Sequence, residues 1–178
     1  MTELLLVRHG ETDWNAVGRL QGHTDRPLSD YGREQARRLA DDLAGEEFDA
    51  IYASDLARAR DTAEIVGERL QLPVVEDPDL REKNWGTWEG LTSTERLEVE
   101  LAGESTEEHQ RRMLAALGRI AANYPGGRVL VVTHGGSMRR VQTEALGFAM
   151  PVVENCGRWA CAWEDGAIAA VDGYPAAG

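Results

Sequence analysis

The chain predicts a three-layer α/β/α sandwich around a mostly parallel sheet, and three observations support that fold class. Strand-like runs alternate with helical patterns along the chain. Several of those runs are apolar at every position, as expected of strands covered on both faces. Each run also stops abruptly at a glycine or a polar group, as strands do where open α/β sheets bind ligands. At 178 residues the chain fits one domain, 1–178, because a domain of this length buries roughly 70% of its unfolded surface.

The elements follow in order. "LLLV" (4–7) is a buried strand running straight into Arg8, His9 and Gly10. An irregular stretch extends to about Ser29, which caps a helix whose stripe is Ala36, Leu39, Ala40 and Leu43, with Gly45 as the stop. "FDAIYAS" (48–54) reads as a strand, "DLARARDTAEIVGERL" as a helix, and "LPVVE" (72–76) as a short third strand. Residues 91–112 are acidic and weakly patterned. Ser105 with Glu108 nevertheless forms a capping box for a helix carrying Met113, Leu117, Ile120 and Tyr124 on one face. "RVLVVTH" (128–134) is another buried strand and "GGSMRRVQTEAL" a helix stopped by Gly147. "GRWACAWEDGAIAAV" is a hairpin turning at Asp165-Gly166, which supplies any antiparallel edge.

Composition narrows the partners. The chain has 31 acidic and 19 basic residues, a net charge of −12, so its surface repels nucleic acid and anionic lipid. The start "MTELLLVRHG" lacks a basic segment and a long apolar run, and no stretch is apolar enough to span a bilayer, so a cytoplasmic protein is expected. Cys156 and Cys161 stand five apart in an expected strand, on opposite faces, and are read as core residues rather than a disulfide or metal clip.

Polar chemistry collects at four strand ends: Arg8-His9, Ser54 to Arg58, Arg81-Glu82, and His134-Gly135-Gly136. In a doubly wound sheet the carboxyl ends of parallel strands share one edge, so these groups can meet in a single crevice. Arginine forks suit a phosphate or carboxylate, and the glycines after His134 let a helix amino-terminus approach an anion. Two imidazoles and a carboxylate remain for chemistry.

Four blocks, "RHGETDWN" (8–15), "SDLARARDTA" (54–63), "LREKNWGTWEG" (80–90) and "THGG" (133–136), resemble the signatures of the histidine phosphatase superfamily, also called the phosphoglycerate mutase-like family. The resemblance covers nearly the whole chain and implies a phosphoglycerate mutase-like fold. It also implies that His9 is the nucleophile forming a phosphohistidine and that Glu82 is the proton donor to the leaving oxygen. Arg8, Arg58 and His134 would hold the phosphoryl oxygens, and Asn15, Gln21, Gly22 and Gly135 would complete substrate binding. No metal or cofactor is implied. Phosphoryl transfer asks mainly for positioning and positive charge around three equatorial oxygens, which side chains can supply. His9 has to be neutral, which flanking Arg8 and Arg58 favour, and Glu82 has to carry a proton when the ester breaks, so the rate should be bell-shaped or acid-shifted in pH.

Plainer readings compete. His9 alone could be a buried histidine satisfied by backbone, and Arg60 fits a charged helix face better than a site. Glu89 reads as a structural hydrogen-bond partner rather than a second acid. A metal site of His9, His134 and a carboxylate lacks an HExxH or cysteine pattern. His23 and His109 read as loop and helix-surface residues, and Trp14, Trp85 and Trp88 as either pocket or core.

Residues 91–112 form a short variable lid. Its glutamates, Glu95, Glu98, Glu100, Glu104, Glu107 and Glu108, would repel a bisphosphate if they faced the site. A short lid also favours hydrolysis over phosphoryl retention. The expected activity is therefore metal-independent hydrolysis of a small phosphorylated metabolite. The alternatives are a 2,3-bisphosphoglycerate-dependent phosphoglycerate mutase and, in another class, a weakly catalytic phosphate-metabolite binding or regulatory protein. A homodimer is compatible with the sequence.

Overall fold

The computed structural model describes residues 1–171; the remaining seven residues of the expected domain, 172–178, lie outside the described residues. Among the described residues, six strands form one sheet in the order β3-β2-β4-β1-β5-β6. They are β1 (Thr2–Arg8), β2 (Ala50–Ala53), β3 (Val74–Glu76), β4 (Arg128–Thr133), β5 (Arg158–Glu164) and β6 (Ala167–Ala170). The first four in that order are parallel, and β5 and β6 add the antiparallel edge. The hairpin turns at Asp165 and Gly166, with φ of 51° and 84°, the pair of positive angles that matches the twist of a two-residue turn.

Period-two alternation explains why "LLLV" is apolar throughout. Leu4 and Leu6 face a layer made by α4 (Thr106–Asn123) and α5 (Gly135–Leu146) and meet Met113, Leu117, Ile120, Met138 and Val141. Leu5 and Val7 face α2 (Asp30–Asp42) and α3 (Ala57–Leu70) and meet Leu39, Ala40, Ala63 and Val66. All four strand residues are buried, each worth roughly 1.5–3 kcal/mol relative to exposure. A charge at any of them would be stranded between two helix layers.

Helix boundaries follow the caps. The Ser29 hydroxyl accepts from Gly32 N–H at the start of α2, and Ser105 and Glu108 exchange both capping-box bonds at α4. Gly147 ends α5 with φ of 77°. Three expectations shift. Helix α2 ends at Asp42 with Leu43 as its cap, two residues before Gly45. The stretch expected to be irregular contains a one-turn helix, α1 (Asp13–Ala16), because Thr12 and Asn15 make a capping box of their own. Cys156 sits in a turn at φ 58°, outside β5, so it is not the strand neighbour of Cys161 that the spacing suggested; both are free thiols. Among the described residues no helix is long and apolar enough to cross a membrane.

Candidate active site

Register brings the site together. Arg8 lies opposite Thr133 in the β1–β4 pair, and Ala53 lies opposite Val132 in the β2–β4 pair. The residues that follow therefore emerge side by side at one edge. His9 N–H still donates to Thr133 O, and Ser54 N–H to Val132 O, each at 3.0 Å. The His9 and His134 rings stand 5.2 Å apart, edge to face, and His134 Nε2 is 2.9 Å from Ser54 Oγ.

His9 Nδ1 is 2.6 Å from Gly10 O. A carbonyl only accepts, so Nδ1 carries the proton and the lone pair is left on Nε2. Burial, then the charges of Arg58 and Arg8, hold the His9 pKa well below its ordinary value. His134 is depressed in the same direction by burial, Arg58 and His9. Both rings are neutral at neutral pH.

The two arginines are aimed by backbone. Arg58 is 1% exposed, and its guanidinium donates to Gly22 O at 2.7 Å and Thr24 O at 3.1 Å. Burial lowers its pKa to about 10, leaving it charged at neutral pH. Arg8 donates to Val153 O at 2.8 Å, and burial lowers its pKa too. Arg8 Nε, Arg58 Nε and His134 Nδ1 are buried with no hydrogen-bond partner among the described residues. Buried polar groups are rarely left so, and three together mark a place where a ligand completes the bonding.

Glu82 is held at the amino-terminus of α5: one carboxylate oxygen accepts from Gly136 N–H at 2.9 Å, the other from Lys83 N–H at 2.8 Å. The approach needs glycine at 136, because a Cβ there would lie 2.5 Å from Glu82 Oε1. Asn15 Oδ1 accepts from Thr12 N–H at 3.1 Å, which leaves its amide N–H pair for a ligand. Gln21 Oε1 likewise accepts from Thr12 Oγ at 2.9 Å. Arg8, His9, Asn15, Gln21, Gly22, Arg58, Glu82 and Gly135 all line one cavity of about 420 Å³. His134 stands beside it, against His9. The sequence-predicted residues are thus gathered at one end of the sheet.

Glu89 behaves as the structural partner expected: it accepts from His23 N–H, Trp85 N–H, and both the N–H and hydroxyl of Thr24 at 2.5–3.1 Å. Arg60 pairs with Asp61 at 2.9 Å, as a helix-face charge should. Trp85 lines the cavity and stacks on Trp88, whereas Trp14 packs under Gly90.

Two expectations are overturned. His109 is not on the helix surface. It is 1% exposed, with Nε2 2.9 Å from Ser137 Oγ and 3.8 Å from Glu82 Oε1, because the apolar stripe of α4 continues back one turn from Met113 to position 109. The lid glutamates do not face the site. Glu95 pairs with Arg19, Glu104 with Arg112, and Glu108 is spent in the helix cap, while Glu98, Glu100 and Glu107 are exposed. The lid residues lining the cavity are Arg96, Thr106 and His109. The lid carboxylates therefore do not supply the expected electrostatic repulsion of a second anion. The sequence reading also missed Lys83, Arg139 and Arg140, which line the cavity; the adjacent arginines four and five residues after Gly135 were the signal.

A larger depression of about 610 Å³ lies at the opposite end of the sheet, lined by Glu3, Glu46, Asp49 and Arg128 among others. Arg128 already pairs with Glu3 and Glu46, so that region reads as a solvated charged edge. No cluster of three metal-ligating side chains occurs among the described residues.

The profile of the histidine phosphatase superfamily (branch 1) matches residues 4–164. The chain is 41% identical over 160 residues to a metal-independent phosphoserine phosphatase of Arabidopsis thaliana, spanning 79% of this chain and 67% of that protein. Its fold matches YhfR of Bacillus stearothermophilus with a TM-score of 0.87 at 34% identity, covering 97% of each chain. A mycobacterial glucosyl-3-phosphoglycerate phosphatase solved with VO3 matches with a TM-score of 0.84 at 29% identity, covering 94% of this chain and 95% of that one.

Proposed function

The chain belongs to the histidine phosphatase superfamily and is a phosphoric monoester hydrolase; on that footing we propose that it hydrolyses a small phosphorylated metabolite, without a metal, through a phosphohistidine at His9. One observation carries this reading: the unpartnered buried nitrogens Arg8 Nε, Arg58 Nε and His134 Nδ1 beside a neutral imidazole whose lone pair is on Nε2. A phosphoryl group brings oxygens for the two arginine N–H donors, a further oxygen for His134 in the tautomer that carries its proton on Nδ1, and a phosphorus for the lone pair.

In the first step His9 Nε2 attacks phosphorus and the ester P–O bond breaks. The departing oxygen takes its proton from Glu82. Charge gathering on the equatorial oxygens is met by Arg8, Arg58 and His134, with Asn15 and the amino-terminus of α5 at Gly135 alongside. Glu82, now a carboxylate, takes a proton from water as that water attacks phosphorus. The N–P bond then breaks and phosphate leaves. Because burial and two fixed cations hold the His9 pKa well below its ordinary value, it is neutral and a competent nucleophile at neutral pH.

Hydrolysis is favoured over mutase chemistry because a mutase has to shield its phosphohistidine from water. The segment before α4 offers only a four-residue turn, Glu95–Glu98, and most of it is exposed. The test is phosphate release from p-nitrophenyl phosphate in the presence of EDTA, with intact-mass analysis for a phosphoryl adduct after a quench in alkaline denaturant, where a phosphohistidine survives. Turnover lost in His9→Ala, with the adduct mapped to His9, is expected. Tight phosphate binding without turnover would identify a binding protein instead, and isomerisation of phosphoglycerates faster than phosphate release would identify a mutase.

A further inference from the structure

We infer that the cavity contains a second anion subsite formed by Lys83, Arg96, Arg139 and Arg140, and that the substrate is a phosphomonoester whose alcohol portion bears its own carboxylate or phosphate. The inference rests on the proposed phosphatase site and specifies its substrate class.

The distribution of unpaired charge carries it. The chain has a net charge of −12, and carboxylates are abundant over its surface. Outside the cavity, every arginine but Arg111 is ion-paired among the described residues. Inside it the pattern inverts. Among the described residues, Arg8, Arg58, Lys83, Arg96, Arg139 and Arg140 line it without a carboxylate partner, and Glu82 is its single acidic residue. Arg19, the remaining cation of the lining, is committed to Glu95 and Gly90 O. A phosphoryl dianion accounts for Arg8 and Arg58, and four positive charges remain.

Those four come from three separate parts of the chain: the segment after β3, the lid and α5. Two carry the mark of an unfilled site, since Arg96 Nε and Arg139 Nε are buried with no hydrogen-bond partner among the described residues. Lys83 is 7% exposed, yet its ammonium meets only neutral groups, the Thr106 hydroxyl at 3.2 Å and the Trp85 ring at 4.6 Å. Arg96 lies over Trp88 at 5.5 Å. Aromatic faces orient cations without neutralising them. Like charges held together repel, and more strongly away from bulk water. An anion on the substrate relieves that repulsion, whereas a neutral sugar or aryl group leaves it intact. The cavity volume of about 420 Å³ exceeds what a phosphoryl group alone occupies.

The test compares kcat/KM within matched pairs. O-Phosphoserine and O-phosphoethanolamine differ only in the carboxylate, as do 3-phosphoglycerate and glycerol 3-phosphate at the same carbon. Fructose 1,6-bisphosphate against fructose 6-phosphate asks the same of a second phosphate. At least a tenfold preference for the doubly anionic member is expected in one pair type, and the pair that shows it identifies the second group. Arg139→Gln with Arg140→Gln should reduce that preference by tenfold or more, mainly through KM, and Arg96→Gln should act in the same direction. Equal losses on both members of every pair, or no preference in the wild type, would overturn the inference. Hydrolysis of p-nitrophenyl phosphate separates the outcomes: if it proceeds through His9 while the pairs are not discriminated, the subsite fails and the phosphatase reading stands.

Discussion

Gly136→Ala tests the placement of Glu82 without touching any group that contacts phosphorus. A Cβ at this position would lie 2.5 Å from Oε1 and 2.9 Å from Oε2 of Glu82, against 3.4 Å for an ordinary contact, so the carboxylate has to retreat by about 0.9 Å. The Glu82 carboxylate is the free end of a flexible side chain, and the retreat costs the fold little. Gly136 lies in the first turn of α5, so the helix-propensity gain of alanine is smaller than the roughly 1 kcal/mol of a helix interior and offsets part of the lost Gly136 N–H bond to Glu82; the melting temperature should stay close to that of the wild type. Catalysis has no such tolerance: a misplacement near 1 Å costs about 10²-fold, and general acid–base catalysis supplies about 10²- to 10⁴-fold. With alkyl phosphates, whose leaving oxygen needs a proton, kcat should fall by about 10²-fold. With p-nitrophenyl phosphate the first step needs no acid, but water attack on the phosphohistidine still needs a base. A burst of nitrophenolate equal to the enzyme, followed by slow turnover, is the expected trace in stopped flow. A variant that hydrolyses alkyl phosphates within threefold of the wild type would remove Glu82 from proton transfer.

Three further predictions concern the supports of the site. Burial lowers the pKa of His9, His109 and His134 in the folded chain, so below pH 6.5 the unfolded chain binds protons the native one does not; urea-unfolding free energy should fall with pH from that point by up to about 1.4 kcal/mol per unit per histidine, and a flat profile from pH 7.5 to 5.5 would contradict their burial as neutral rings. Glu89→Gln turns one acceptor into a donor facing backbone N–H groups, and should cost about 2–3 kcal/mol in chemical unfolding while weakening vanadate inhibition, because the Gly22–Thr24 turn that aims Arg58 loses its anchor. Ser54→Ala leaves His134 Nε2 buried and unpaired, with an expected loss of about 1–2 kcal/mol and a reduced affinity for inorganic phosphate, measurable by calorimetry.

What the sequence revealed, and what it did not, divides along one physical line. Features set by the local backbone were legible: the Ser29 and Ser105 caps, the Gly147 stop, the Asp165-Gly166 turn, and strand ends that deliver His9 and His134 to one edge. Each depends on residues within a few positions of one another. The direction of a polar side chain depends instead on what the opposite element offers, and here the reading failed. His109, expected on the helix surface, falls on the stripe of Met113 and Ile120, where α4 packs against α5 and meets Ser137. The repulsion expected of the lid glutamates holds only if they face the site, and composition does not set that direction: Glu104 is drawn away by Arg112, a partner set by the fold. Arginines lacking such a partner, Arg96 and Arg139, are left facing the cavity. In an acidic chain, a cavity lined by cations arises because pairing removes most positive charge elsewhere, so a site's charge is decided by which residues remain unpaired after folding rather than by the composition of the segment that covers it.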